Sequence, residues 1–279
     1  MQGIFRLEVE RLFRRKELYI SVIIGILLVI WLALYETIRL NDVIQLINNA
    51  QKEDAAYLFP PSAFNHYVGI DYAALPTTIL FAIFPLLSTL PYATTYLEDR
   101  NSGYIKNIVI RTSKKKYYLA KFFVTMLSGL VVPISIFLGG FISITMVLPS
   151  IMPQMAAFTF PAASNNAMWS DIYRQQPIIY MILYSLLDSL FYAAISAFAL
   201  GISSFVYQRF VVLVLPSVLF FFSTYALSRF NLWSWIPEFF LRQYQPVNVK
   251  LNIIIIEIFI IFMVAAILFF FVGDKKDVL

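Results

Sequence analysis

Residues Leu18 to Tyr35 read LYISVIIGILLVIWLALY, 18 residues in a row without a charge. A helix rises about 1.5 Å per residue and must cover about 30 Å of hydrocarbon, so a run of this length reads as a membrane span. Working outward, five further runs have the same character. Six spans are expected, at 18–36, 76–97, 119–147, 177–206, 211–227 and 251–272. The fifth is the shortest and carries Pro216. The composition agrees: 60% of the 279 residues are hydrophobic and 13% charged, against about 45–50% and about 25% in soluble domains. The loops between the runs are too short for a separate soluble domain. The expected fold is an all-α membrane protein, one transmembrane domain over 1–279.

Cysteine is absent, which excludes a disulfide framework, a zinc-thiolate site and an iron–sulfur cluster. The single histidine, His66, cannot make an H-E-x-x-H zinc site. No cleavable signal peptide is expected, because the first apolar run begins behind a charged amphipathic stretch and exceeds a signal h-region in length.

The net charge of +5 has a topological explanation that needs no nucleic acid. With six spans, 15 of the 21 Lys and Arg fall on the side of the N-terminus and 6 on the other. The basic side is the cytoplasmic one. Both termini are therefore expected in the cytoplasm, with the chain in the plasma membrane of a bacterium. Lys121 belongs to the cytoplasmic group in this tally.

Two cytoplasmic segments stand out. Residues 2–17 form an amphipathic pattern, with Phe5, Val9, Leu12 and Phe13 on one face and Arg6, Glu10, Arg14 and Glu17 on the other. Such a helix lies in the interface, its basic side toward anionic lipid headgroups. The second segment spans 98–116. Asn101 or Ser102 is placed to cap a short helix, whose apolar face is Tyr104, Ile105, Ile108 and Val109. A surface helix with such a face wants a protein partner, although packing on the inner leaflet would also cover it. On the outer side, 37–75 reads as polar with helical stretches and 148–176 as largely irregular, given Pro149, Pro153 and Pro161. Residues 228–250 carry Trp233 and Trp235, which suit the headgroup level, and short helices dipping into the outer leaflet are expected there.

At the second segment the chain resembles a known family. Glu98, Gly103, Lys106, Ile108, Arg111, Thr112 and Ser113 match in order a loose coupling motif: an acidic residue, a Gly, a basic and apolar stretch, then a small residue before the next span. With the layout, this resembles the permease subunit of an ATP-binding-cassette transporter of the type-two exporter class. The resemblance implies an interfacial elbow helix at 2–17, a coupling helix between spans two and three, and re-entrant outer helices at 228–250. It also implies a pair of permease subunits, identical or homologous, and two copies of a separate ATP-binding subunit holding ATP and Mg. Glu98 would join the coupling helix to the transmembrane bundle, with Asp99 and Arg100 less securely placed. None of the nine Gly precedes a Lys, so the chain has no G-x-x-x-x-G-K-[ST] phosphate loop. No cofactor of its own and no enzymatic activity are expected. Small permeases of this layout often export, or give immunity to, antimicrobial peptides. The 27 Phe and 17 Tyr suit an amphiphilic peptide, lipid or drug-like cargo, and suit ordinary packing equally well.

Two acidic residues interrupt the apolar runs. Asp188 lies about a dozen residues into span four, and Glu257 about six residues, or roughly 9 Å, into span six. A mid-helix Asp costs on the order of 3 kcal/mol to insert, which the Ile, Leu and Phe of span four outweigh. Each is either a substrate or proton site or a carboxyl bonded to nearby Ser or Tyr groups or to the partner permease. The competing class is an ion-coupled secondary transporter using Asp188 and Glu257, although no inverted repeat is visible. A third reading, an intramembrane enzyme built on Ser62, His66 and Asp71, rests on proximity in sequence alone.

Overall fold

The computed structural model describes residues 2–49, 62–71, 74–153, 163 and 167–272. The described residues hold helices and no strand. In chain order these are α1 (Gln2–Phe13), α2 (Lys16–Asn49), α3 (Leu75–Thr89), α4 (Thr95–Asn101), α5 (Tyr104–Arg111), α6 (Lys114–Val147), α7 (Ser170–Gln175), α8 (Pro177–Ser203), α9 (Arg209–Arg229), α10 (Pro237–Phe240) and α11 (Leu251–Ile267). A 3-10 turn, Trp233–Trp235, precedes α10, and a π turn, Leu268–Val272, follows α11. Five of these helices are long and apolar enough to cross a membrane: α2, α6, α8, α9 and α11. The chain is a membrane-embedded, all-α protein.

The element edges differ from expectation in ways the residues explain. The run expected at 76–97 is no continuous helix. Its helix, α3, ends at Thr89, and the chain turns over 90–94 before α4 resumes. Pro91 sits at this break and has no N–H to offer an i−4 carbonyl, although Pro85, Pro133 and Pro216 lie inside helices that continue past them. The first run, expected to end at 36, continues as helix to Asn49. No Pro or Gly interrupts residues 37–49, so the chain leaves the apolar zone without leaving the helix. In 228–250, where short helices were expected, the described structure after α9 holds only single turns, Trp233–Trp235 and Pro237–Phe240.

Helix α8 is the axis of the bundle. Of its apolar window 61% is buried, against 17% for α9 and α11. It packs along α6, α11, α3 and α9. The closest crossing is at Gly129 of α6, where an added Cβ would sit 2.5 Å from Ser196 Cβ and 2.9 Å from the Tyr192 carbonyl oxygen. A residue without a side chain lets two backbones approach this far. Ser196 Oγ then donates to the Thr125 carbonyl at 3.1 Å.

The contacts define two ends of the bundle. With 34 residues, α6 separates them by about 50 Å. One end gathers Arg15, Glu98, Lys121 and Arg209 through ion pairs, and Phe269 packs there on Tyr96 and Tyr118 at 5.2 and 5.1 Å. The other end is a cap of loops. Ala63 N–H donates to the Pro149 carbonyl at 3.0 Å and Tyr244 N–H to the Gly69 carbonyl at 3.2 Å, while the Tyr180 hydroxyl donates to the Gln243 carbonyl at 3.3 Å.

Candidate functional site

The described residues concentrate buried charge at the first of these ends. Lys121 is fully buried. Its Nζ donates to Asp99 Oδ2 at 2.6 Å and to Glu8 Oε2 at 3.0 Å. Asp99 also accepts from the Tyr117 hydroxyl at 2.6 Å and pairs with Arg11 at 2.6 Å. Glu8 accepts from the Tyr92 hydroxyl. The Lys121 ammonium lies 4.9 Å from the Tyr92 ring centroid and 5.7 Å from that of Tyr117, a placement the ring quadrupoles favour. The residue before Asp99, Glu98, takes a two-pronged contact from Arg15, at 2.8 and 2.9 Å, with Arg209 at 3.6 Å.

This cluster ties α1, α4, α6 and the start of α9 into one unit. Burial pushes the Asp99 carboxyl up, but Lys121, Arg11 and Tyr117 outweigh that and hold it below the usual carboxylate range. Burial likewise opposes the Glu98 charge, and Arg15, then Arg209 and Arg11, hold its carboxyl low. Burial pulls the Arg11 guanidinium down, and Asp99 and Glu8 more than restore it. The ions are therefore paired and charged.

Sequence reasoning missed most of this cluster. Lys121 was assigned to the cytoplasmic charge tally, whereas it is buried between two acids. By sequence pattern, Phe5, Val9, Leu12 and Phe13 form the apolar face of an interfacial helix; the stripe packed on protein is a neighbouring one. Ile4, Glu8 and Leu12 are the buried stripe, Val9 is half-buried, and Phe5 and Phe13 are exposed. The signal lay in the spacing: Glu8 stands at i+4 from Ile4 and i−4 from Leu12, an acid in an apolar stripe. Lys121 is likewise the only charge in the run from Tyr117 to Val147.

The short helix α5 is held by the same unit. Neither Asn101 nor Ser102 caps it. The N-cap is Gly103, at φ +72, a left-handed conformation that glycine adopts without strain. The expected apolar face divides in two. Ile105 is buried with Ile4, Tyr96 and Tyr117, and Ile108 packs against that cluster. Tyr104 and Val109 are partly exposed, and Ile110, outside the expected face, is 84% exposed. The Arg11 guanidinium lies over the Tyr104 ring at 5.3 Å. Gly103 and Lys106 are at the surface of this turn; the Arg111 side chain lies outside the described residues. Arg100 reaches the Ser204 carbonyl at 3.4 Å and stacks over Tyr207 at 4.2 Å. Between α1 and α5 runs a groove of about 830 Å³ lined by Ile4, Leu7, Tyr104, Asn107, Ile108 and Ile110.

The two intramembrane acids are not brought together. Asp188 is buried on α8 in a stripe of period four with Tyr180, Tyr184 and Tyr192. The hydrogen bonds expected from nearby Ser or Tyr groups are not made: neither Asp188 oxygen has a partner among the described residues. Glu257 instead lines a slot between α8, α9 and α11. The Ser62, His66, Asp71 grouping does not form a triad. Ser62 Oγ donates to the Ile151 carbonyl, His66 Nδ1 meets Glu36 at 2.7 Å, and Asp71 pairs with Arg39.

Compared with family models, curated proteins and solved structures, the chain finds no match.

Proposed function

We propose that the chain is the permease subunit of an ATP-driven transporter of the type-two exporter class, working with a separate ATP-binding subunit. The observation that carries this reading is the ionic cluster. It locks α1, α4 and α6 together, and α5 is seated on that unit by Ile105, buried among Ile4, Tyr96 and Tyr117, and by Arg11 over the Tyr104 ring, so a push on α5 is transmitted to the bundle, while Val109 and Ile110 stay outward beside an open groove. A helix that only rested on lipid would not need rigid anchoring to three neighbours. Glu98 then works as the sequence motif suggests, through Arg15 and Arg209.

The six-span topology is part of the same proposal. Helix α3, at 15 residues, is short for a span, but the chain enters it from the loop-cap end and reaches Glu98 at the ionic end. Segment 75–97 thus supplies a sixth crossing, and even parity puts both termini at the ionic, cytoplasmic end. Helix α1 is the interfacial helix, protein-bound through Ile4 and Leu12 and lipid-facing through Phe5 and Phe13. Two such permeases, identical or homologous, would pair, and the cargo would be an amphiphile drawn from the membrane.

Purification from its native membrane in mild detergent tests this. The expected result is a co-purifying subunit bearing a phosphate-binding loop, lost in Ile110→Asp, and ATP-dependent transport in reconstituted vesicles. Transport that persists without ATP and collapses with the proton gradient would overturn the proposal in favour of ion coupling. The unpartnered carboxyl of Asp188 is the observation that favours that rival. The separation of Asp188 from Glu257 weighs against a shared ion path.

A further inference from the structure

The slot that holds Glu257 has one polar corner in an apolar wall. Helices α8, α9 and α11 enclose about 230 Å³. Phe191, Phe198, Phe220, Ile261 and Val264 form its walls, and Glu257 and Ser223 are its polar side chains. Glu257 Oε2 is buried there and accepts no hydrogen bond from any described residue. A buried acceptor without a donor costs on the order of 1–3 kcal/mol, more for a charged group, so the site is incomplete as it stands.

Three features define what would complete it. The missing group must donate a hydrogen bond, and a cationic donor makes the strongest bond to a carboxylate. Its body must be apolar and slim, because the volume falls just below the roughly 300–1,000 Å³ of common small-molecule sites. From Glu257 to Val264 the helix rises roughly 10 Å, so the slot runs lengthwise from the acid toward Phe198 and Val264. The flanking helices α9 and α11 are the least buried of the bundle, and the slot opens on the bundle's outer surface. A ligand reaches it sideways from the bilayer, which selects amphiphiles. The phenyl faces of Phe191 and Phe220 add a favourable field for a cation nearby.

We propose that this slot binds a primary ammonium on an apolar chain, the ammonium on Glu257 Oε2 and the chain lying toward Phe198 and Val264. The site narrows the amphiphilic cargo to lipophilic amines. It rests on the permease reading only for the ligand being cargo, since binding needs no ATPase.

The test uses the full chain in nanodiscs without any partner, photolabelled by decylamine bearing a diazirine at the far end of its chain. Labelled peptides should come from 191–198 and 260–264, with excess decylamine, but not decanol or decanoate, competing. Glu257→Gln removes a charge-assisted bond, and the apparent affinity should fall roughly 10- to 100-fold. A second variant guards against misfolding of the first: Val264→Phe fills the far end while keeping the acid, and should shift preference from decylamine toward hexylamine. Equal competition by decanol, label spread over lipid-facing positions, or no label in the slot would each overturn the proposal, the last being expected if a second copy of the chain covers it. None of these outcomes bears on whether an ATP-binding subunit co-purifies, so the two readings fail separately.

Discussion

Replacing Lys121 by Met tests the ionic cluster most directly. The ammonium is fully buried and serves Asp99 at 2.6 Å and Glu8 at 3.0 Å. Methionine keeps the length and apolar stem and removes the charge. Asp99 retains Arg11 and Tyr117. Glu8 retains the Tyr92 hydroxyl and an Arg11 contact stretched to 4.0 Å, so Glu8 is the charge left uncompensated. Removing one partner of a buried pair costs about 3–5 kcal/mol, and the surviving partners of Asp99 place the loss near the lower value, about 3 kcal/mol. At roughly 2–4 °C per kcal/mol for a chain of this size, the apparent midpoint should drop roughly 6–12 °C. The assay is heating in detergent micelles, followed by size-exclusion of the protein that stays monodisperse. Glu8→Gln in the Lys121→Met background should recover at least about 1 kcal/mol, because the two sites are coupled. Lys116→Met, at an exposed position five residues upstream on the same helix, should change stability by less than about 0.5 kcal/mol. An unchanged midpoint in Lys121→Met, or strictly additive effects with Glu8→Gln, would refute the idea that a buried lysine bridges two helices here.

Three further outcomes follow from the same contacts. Ile105→Ala, at a buried position, should destabilise by about 2 kcal/mol or more, whereas Ile110→Ala, 84% exposed, should leave the melting midpoint unmoved; melting curves of the two variants compare them. Gly129→Ala forces a Cβ against Ser196 and the Tyr192 carbonyl and should cost about 1–3 kcal/mol, while Gly3→Ala, with nothing within 4 Å, should be neutral in the same assay. Acid should loosen the ionic end. The Glu98 and Asp99 carboxyls titrate below their usual range in the folded chain, so their stabilisation is fully present above about pH 4, the unfolded-state value, and is lost as the pH falls through their lower folded values. Stability measured from pH 7 down to 2 should fall in that window, with a smaller drop in Glu98→Gln.

The sequence by itself determined that this chain lives in a membrane, and roughly where most of its apolar helices lie. The reason is local: an uncharged run such as Leu18–Tyr35 has one stable environment, and its length alone says how far it reaches. The same local logic read a short helix after span two, but it put the cap at Asn101 or Ser102 where the structure uses Gly103. It failed where partners come from distant segments. Nothing in residues 2–17 announces that Glu8 meets Lys121, because the two are 113 positions apart and only the packing of α1 on α6 brings them together. That packing also decided which stripe of α1 meets protein: Ile4, Glu8 and Leu12 are buried, while Phe5 and Phe13 stay exposed. Asp188 and Glu257 were both candidate proton sites by sequence; the fold puts Asp188 in the tyrosine stripe of α8 and Glu257 in the slot between α8, α9 and α11. The break at Pro91 could not be read from its missing N–H alone, since Pro85, Pro133 and Pro216 lie inside continuing helices. Whether the chain still reaches the other side depends on where Glu98 finds Arg15, and that is a property of the folded bundle.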